Sequence, residues 1–254
     1  MSDAPIAVFD SGLGGLSVLQ ALCRELPGEN FLYFGDSANA PYGPRPTAQI
    51  RALTLKHAQR LFDEGAKALV VACNTATSAA IDELRARWPE RIIIGIEPAL
   101  KLAVKRHPGG TVAVMATEAT LREQKFAALM RREGGSCRIV KCPCPELVSF
   151  VERGELDGDF LTRVLREELS EALALQPDAA VLGCTHFPFL KRAISAVLGT
   201  HAELLDGADG TAKETHRRLA LAELLREGEK GRIIIRNSNP SLLERSEQLL
   251  HTTI

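Results

Sequence analysis

The chain has 254 residues, 45% of them hydrophobic and 25% charged, with a formal net charge of −1, the make-up of an ordinary globular protein with ample core. That balance gives no electrostatic reason to expect nucleic acid or an anionic membrane as partner, and no apolar run approaches the roughly 20 residues that span a bilayer. The opening "MSDAPIAVFDSG" lacks the basic segment of a signal peptide, so a cytoplasmic location is expected.

Strand, turn and helix then alternate along the chain. "IAVF" leads through Asp10-Ser11-Gly12 into a helix whose Leu16, Leu19, Cys23 and Leu26 recur at helical spacing, which makes Cys23 a core residue. "NFLYFG" leads into the loop "DSANAPYGPRP". A helix over 47–64 precedes "ALVVA", and another follows and stops at Trp88-Pro89. "RIIIGI" comes next, then a helix to His107 and the turn Pro108-Gly109-Gly110. "TVAVMA" opens a new series: a helix, "CRIVKC", helices over 146–175, "AAVLG", another helix and "AELL". A helix over 211–227, "RIIIR" and a last helix to Leu250 close the chain. Strands that are apolar throughout, alternating with helices, predict an α/β fold of parallel sheets covered on both faces.

The plan repeats. "IAVFDSGLGGL" and "VAVMATEATL" are both strands that turn into a helix, and aligning them puts Ser11 opposite Thr117 and Asp10 opposite Ala116. Ser11 precedes Cys73 by 62 positions, and Thr117 precedes Cys184 by 67. The expectation is two similar, doubly wound, mainly parallel-sheet domains related by a pseudo-twofold. Each places a cysteine at the C-terminal end of a strand, where such sheets bind ligands, so the site falls in the cleft between them.

Six cysteines in a chain of this size, with no export signal, do not by themselves imply disulfides. Cys142 and Cys144 form "CPCP", a weak signal for zinc, and Cys137 gives none. Cys73 and Cys184 differ from these. Each closes an apolar strand and is followed at once by polar residues, Asn74-Thr75 and Thr185-His186. A cysteine between a strand end and a helix start sits near unpaired N–H groups and the positive end of the helix dipole, which favour thiolate. His186 can exchange protons with Cys184, and Asp10 can serve Cys73. Ser11, Asn74, Thr75, Thr185 and the backbone at Tyr42-Gly43 can hold a carboxylate and an ammonium. Two thiols on opposite faces of a small polar substrate suit inversion at carbon, in which one removes a proton and the other delivers one to the opposite face.

Plainer readings stand beside this one. Cysteine is among the most often buried residues, His186 can be a helix-start residue bonded to a carbonyl, and Asp10-Ser11 can be a helix cap. A Cys184–His186 thiol hydrolase, or zinc held by Cys73, Cys184 and His186, are further alternatives. "GLGGL" invites a nucleotide reading, with Asp36 as the ribose-binding acid. Ser17 stands where the third glycine of G-x-G-x-x-G belongs, however, and Asp10 would repel a pyrophosphate.

The segments "FDSGLGGLSVL", "YFGDSANAPYG", "LVVACNTATSAA" and "VLGCTHFPFL" resemble those of the glutamate racemases, in the cofactor-independent aspartate/glutamate racemase superfamily, and occur in that family's order. The resemblance implies inversion of glutamate by two opposed cysteines with no cofactor and no metal, supplying D-glutamate for peptidoglycan in a bacterial cytoplasm. It implies Cys73 and Cys184 as the acid/base pair, Asp10 assisting Cys73, and His186 with Glu152 of "ELVSFVERGE" assisting Cys184. Asp10, Ser11, Tyr42, Gly43, Asn74, Thr75, Thr117, Thr185 and His186 would bind the substrate. By the same resemblance Cys184 takes the proton from L-glutamate and Cys73 from D-glutamate. Two domains are implied, 1–97 plus 206–254 and 98–205, in a homodimer. Asn39 stands where many members carry a basic residue, and "DGADGTAKE" replaces a run of small residues. A related racemase acting on aspartate or a hydantoin would share these thiols.

Overall fold

A computed structural model describes residues 2–122 and 124–254. In chain order the elements are β1 (Ile6–Asp10), α1 (Leu16–Glu25), β2 (Phe31–Gly35), α2 (Thr47–Asp63), β3 (Ala68–Val71), α3 (Asn74–Arg87), β4 (Ile92–Gly95) and α4 (Leu100–Arg106). There follow β5 (Thr111–Ala116), α5 (Glu118–Arg122), α6 (Gln124–Glu133), β6 (Arg138–Pro143), α7 (Leu147–Arg153), α8 (Asp159–Glu168), α9 (Ser170–Leu175) and β7 (Ala179–Leu182). The chain closes with α10 (Lys191–Leu198), β8 (Glu203–Asp206), α11 (Ala208–Leu221), β9 (Ile233–Asn237) and α12 (Leu243–Leu250).

Among the described residues two sheets form, and every strand pairing is parallel. The first has the order β4-β3-β1-β2-β9 and the second β6-β5-β7-β8. Without β9, both read as second, first, third and fourth strand of their half, so the repeat expected from the sequence is a repeat of topology. In each, the order reverses between the first and third strands, the place where α/β sheets leave a crevice.

Burial explains why these strands are apolar on both faces. Ile6 and Val8 of β1 point into the core that α1 covers, while Ala7 and Phe9 point into the core under α2 and α3. The core containing Ile6 and Val8 continues to Met115 and Leu182 of the second sheet, so the halves share one apolar interior.

β9 returns to the first sheet beside β2. A buried pair guides the chain there: Lys67 Nζ lies 2.6 Å from Glu29 Oε2 and donates to the Leu224 carbonyl at 2.8 Å. Glu29 also accepts from the Arg226 amide at 2.8 Å. On α1, the Gln20 amide donates to the carbonyls of Leu249, Leu250 and Thr252, at and just past the end of α12.

The helix expected over 211–227 runs over Ala208–Leu221 instead. Asp206 Oδ1 accepts from the Ala208 amide at 2.9 Å and starts it early. Glu223 takes a left-handed φ of 55° and the Leu224 amide turns back to the Leu219 carbonyl, which ends it. No helix among the described residues is long and apolar enough to cross a membrane.

Candidate active site

Cys73 lies two residues beyond β3 and Cys184 two residues beyond β7, the third strand of each sheet. Both face one small cavity. Ser11, Tyr42, Gly43, Asn74 and Thr75 wall it from the first half, and Thr117, Thr185 and His186 from the second. Asp10 and Glu152 sit behind this wall. The structure thus brings all the expected site residues together. It adds Pro41 and Val148 to the wall. Pro41 shares a loop with Tyr42, but Val148 is one apolar helix residue among many and carries no sequence signal.

The two thiols have different surroundings. Cys73 is the N-cap of α3, its sulfur accepting from the Ala76 amide at 3.4 Å, and it donates to Ser11 Oγ at 3.4 Å. Burial and the nearby Asp10 carboxylate push its thiol up to about 12, against the lowering effects of Ser11 and the Ala76 N–H. Asp10 acts on Cys73 through charge. Its two carboxylate oxygens accept from the Gly12 amide at 2.9 Å and from Thr185 Oγ1 at 3.0 Å. Burial nonetheless raises the Asp10 carboxyl, in spite of the opposing pull of His186.

Cys184 departs from the expected helix start. Phe187–Leu190 forms a 3-10 turn and α10 begins only at Lys191, so the α-helix next in sequence does not start at this sulfur. His186 stands beside the sulfur instead, with Nδ1 at 3.6 Å from Cys184 Sγ and Nε2 at 2.7 Å from Glu152 Oε1. Burial disfavours a charged imidazole, but the hydrogen bonds and charges of Cys184 and Glu152 outweigh it and raise His186 well above its ordinary range. The repeat is therefore chemically asymmetric. Two residues past the cysteine stand Thr75 in one half and His186 in the other, and Asp10 ends β1 where Ala116 ends β5.

Contacts across the cleft also explain "GLGG". A Cβ at Gly12 would collide with Glu152, and one at Gly14 with His186 and Thr185. The glycines make room for Glu152, His186 and Thr185 of the second half rather than for a pyrophosphate. Glu152 Oε1 accepts from the Leu13 amide at 2.7 Å, and Ser17, at the missing third glycine, donates to the Thr185 carbonyl at 2.9 Å. The Thr75, Thr117 and Thr120 hydroxyls lie within 3.0–3.2 Å of one another and join the halves on the far side of the cavity. Sequence reading missed Ser17 and Thr120 in these roles. Asp36, the other residue of the nucleotide reading, is fully buried and accepts from Tyr42 Oη at 2.8 Å, so no ribose reaches it.

Asn74 lines the cavity, and its Oδ1 is buried without a hydrogen-bond partner among the described residues, which leaves an acceptor unused. Cys142 and Cys144 lie apart from the cavity wall, and their thiols donate to the carbonyls of Val140 and Cys142. No group of three His, Cys, Asp or Glu side chains among the described residues is arranged to hold a metal.

Paired α/β sheets that bring two thiols to one cavity, each backed by its own charged group, make that cavity the candidate active site of an enzyme. Comparison with known proteins agrees. A family model described as Asp/Glu/Hydantoin racemase matches residues 11–215. Glutamate racemase of Clostridium perfringens is 45% identical over 253 residues, covering 98% of this chain and 97% of its own. The solved structure of glutamate racemase from Thermus thermophilus in complex with beta-chloro-D-alanine has 38% identity and a TM-score of 0.82, covering 98% of this chain and 94% of that one. That from Francisella tularensis in complex with D-glutamate has 29% identity and a TM-score of 0.84, covering 100% and 96%. The chain belongs to the Asp/Glu/hydantoin racemase family.

Proposed function

We propose that the protein interconverts L- and D-glutamate by a two-base mechanism. The observation that carries this is the placement of Cys73 and Cys184 two residues beyond equivalent strands of the two sheets, both on one cavity. Glutamate as substrate is supported by the names of the relatives and by the D-glutamate complex of the Francisella tularensis enzyme.

With the α-carbon between the sulfurs, Cys184 is placed as the base, beside the His186 imidazolium, and Cys73 as the acid, a thiol beside the Asp10 charge. Cys184 takes the α-proton of L-glutamate while Cys73 delivers a proton to the opposite face, and the roles reverse for D-glutamate. The α-proton of an amino acid is weakly acidic, so the polar wall has to stabilise the carbanion. Ser11 and the Tyr42-Gly43 backbone hold the carboxylate, and Asn74 Oδ1 accepts from the ammonium. The cavity has room for about 20 Å³, about one water. Glutamate therefore enters when the halves part, and their closure excludes water from the carbanion.

The halves correspond to domains 1–97 plus 206–254 and 98–205, which the strand membership of the two sheets supports. Supply of D-glutamate for peptidoglycan, a cytoplasmic location and a homodimer rest on the family resemblance.

Chelator-treated protein offered L-glutamate, aspartate and a hydantoin, followed by circular dichroism, tests the substrate. Loss of the glutamate signal alone supports the reading; loss of the aspartate or hydantoin signal alone moves it to a sister racemase. Cys73→Ser should abolish turnover and leave glutamate binding within a few-fold. A Cys184–His186 hydrolase would keep its activity in that variant and form an acyl-enzyme.

A further inference from the structure

Asp36, at the end of β2, lies outside the cavity wall yet ties together the loop that forms part of it. Its buried carboxylate accepts from Tyr42 Oη at 2.8 Å and from Asn39 Nδ2 at 3.0 and 3.1 Å, and His57 Nε2 lies 3.1 Å from Oδ2. Burial would raise this carboxyl, but these three partners hold it below the usual carboxylate value. His57 itself packs against two rings, its centroid 5.6 Å from that of Phe9 and 4.8 Å from that of Phe34. Asp36 is thus anchored to the first sheet on one side and grips Tyr42 on the other.

Tyr42 is the middle residue of Pro41–Gly43, which faces the cavity beside Cys73. Gly43 closes against the second half, where an added Cβ would sit 3.2 Å from Thr117 Cβ. The loop reaches from one sheet to the other over the cavity, and its only side chain with a polar tip is tethered to Asp36.

We propose that Asp36 is a positioning residue that, through Tyr42, holds the Pro41–Gly43 wall in its substrate-binding place without touching the substrate. The inference rests on the glutamate reading above. If the loop is ordered before binding, the substrate does not bear that ordering cost. Loosening it weakens the grip on either enantiomer while leaving the thiols, Asp10 and His186 in place. The expected mark is a higher KM with kcat little changed.

Steady-state kinetics with L- and D-glutamate on wild type, Asp36→Ala, Tyr42→Phe and the double variant test this, alongside thermal unfolding. Each single variant should raise KM for both enantiomers about tenfold, the weight of one hydrogen bond to a charged group. The double variant should do no more than either single, because both remove the same tether. A fall in kcat and melting temperature at unchanged KM would show a purely structural role and overturn the proposal, and so would additive effects in the double variant. If Asp36→Ala does not fold, Tyr42→Phe decides alone. Wild type inert to both enantiomers overturns the glutamate reading and this inference together, whereas active wild type with unchanged KM in the variants overturns this inference alone.

Discussion

Thr185 Oγ1 donates a 3.0 Å hydrogen bond to Asp10 Oδ2, so the residue after one cavity cysteine supports the carboxylate that sets the charge around the other. The bond joins the two sheets at the ends of β1 and β7. It also supplies one of the hydrogen bonds that Asp10, fully buried, receives.

Thr185→Val keeps the shape of the side chain and removes this donor. Leaving a buried carboxylate short of a partner costs about 1–3 kcal/mol. Urea unfolding at neutral pH should show a loss of that size, with the unfolding slope unchanged.

His186 and Glu152 act on the Cys184 side. His186→Asn removes the cation beside the sulfur and should lower kcat roughly 10²–10⁴-fold, the usual weight of a positioned acid or base. Glu152→Gln still accepts from His186 and the Leu13 amide and should cost less. Because the two enantiomers are equal in energy, kcat/KM must fall by one factor in both directions, which progress curves run from either enantiomer will check.

Alkylation should separate the thiols. Cys73, held up to about 12 by burial and Asp10, stays protonated at neutral pH, while Cys184 has an imidazolium beside it. Peptide mapping after limited iodoacetamide treatment should find Cys184 modified first, and His186→Asn should erase that preference.

Glu168 gives a pH test away from the site. It lies beside Cys144, accepts from the Glu146 amide at 3.1 Å, and is pushed up by burial to about 7 from 4.5. A carboxyl with a raised folded value stabilises the fold fully below the unfolded value and loses that contribution as pH rises through the folded one. The melting temperature of wild type should therefore fall relative to Glu168→Gln between pH 5 and 8.

Local signals made the strands readable, because parallel strands buried on both faces are apolar throughout. The cysteines were readable as a pair through the repeat of strand, cysteine and polar follower. Contacts that cross the cleft left no such trace. Glu152 meets the Leu13 amide from 139 positions away, and nothing near Gly12 or Gly14 in sequence says that these glycines make room for it and for His186. Cys73 caps α3, as its place between strand and helix predicts, whereas at Cys184 the 3-10 turn at Phe187–Leu190 keeps the next helix at a distance. The end of α11 depended on the left-handed backbone at Glu223, which residue type alone does not announce.

The most direct test of two opposed thiols is the fate of hydrogen in heavy water. L-Glutamate is incubated with the enzyme in deuterium oxide and quenched at low conversion, and the separated enantiomers are analysed by proton NMR and mass spectrometry. If Cys184 removes the proton and Cys73 delivers one from solvent, the D-glutamate formed carries deuterium at the α-carbon while recovered L-glutamate keeps its protium. D-Glutamate that retains the original protium would mean that one group carries the hydrogen from face to face, and would contradict the two-thiol account.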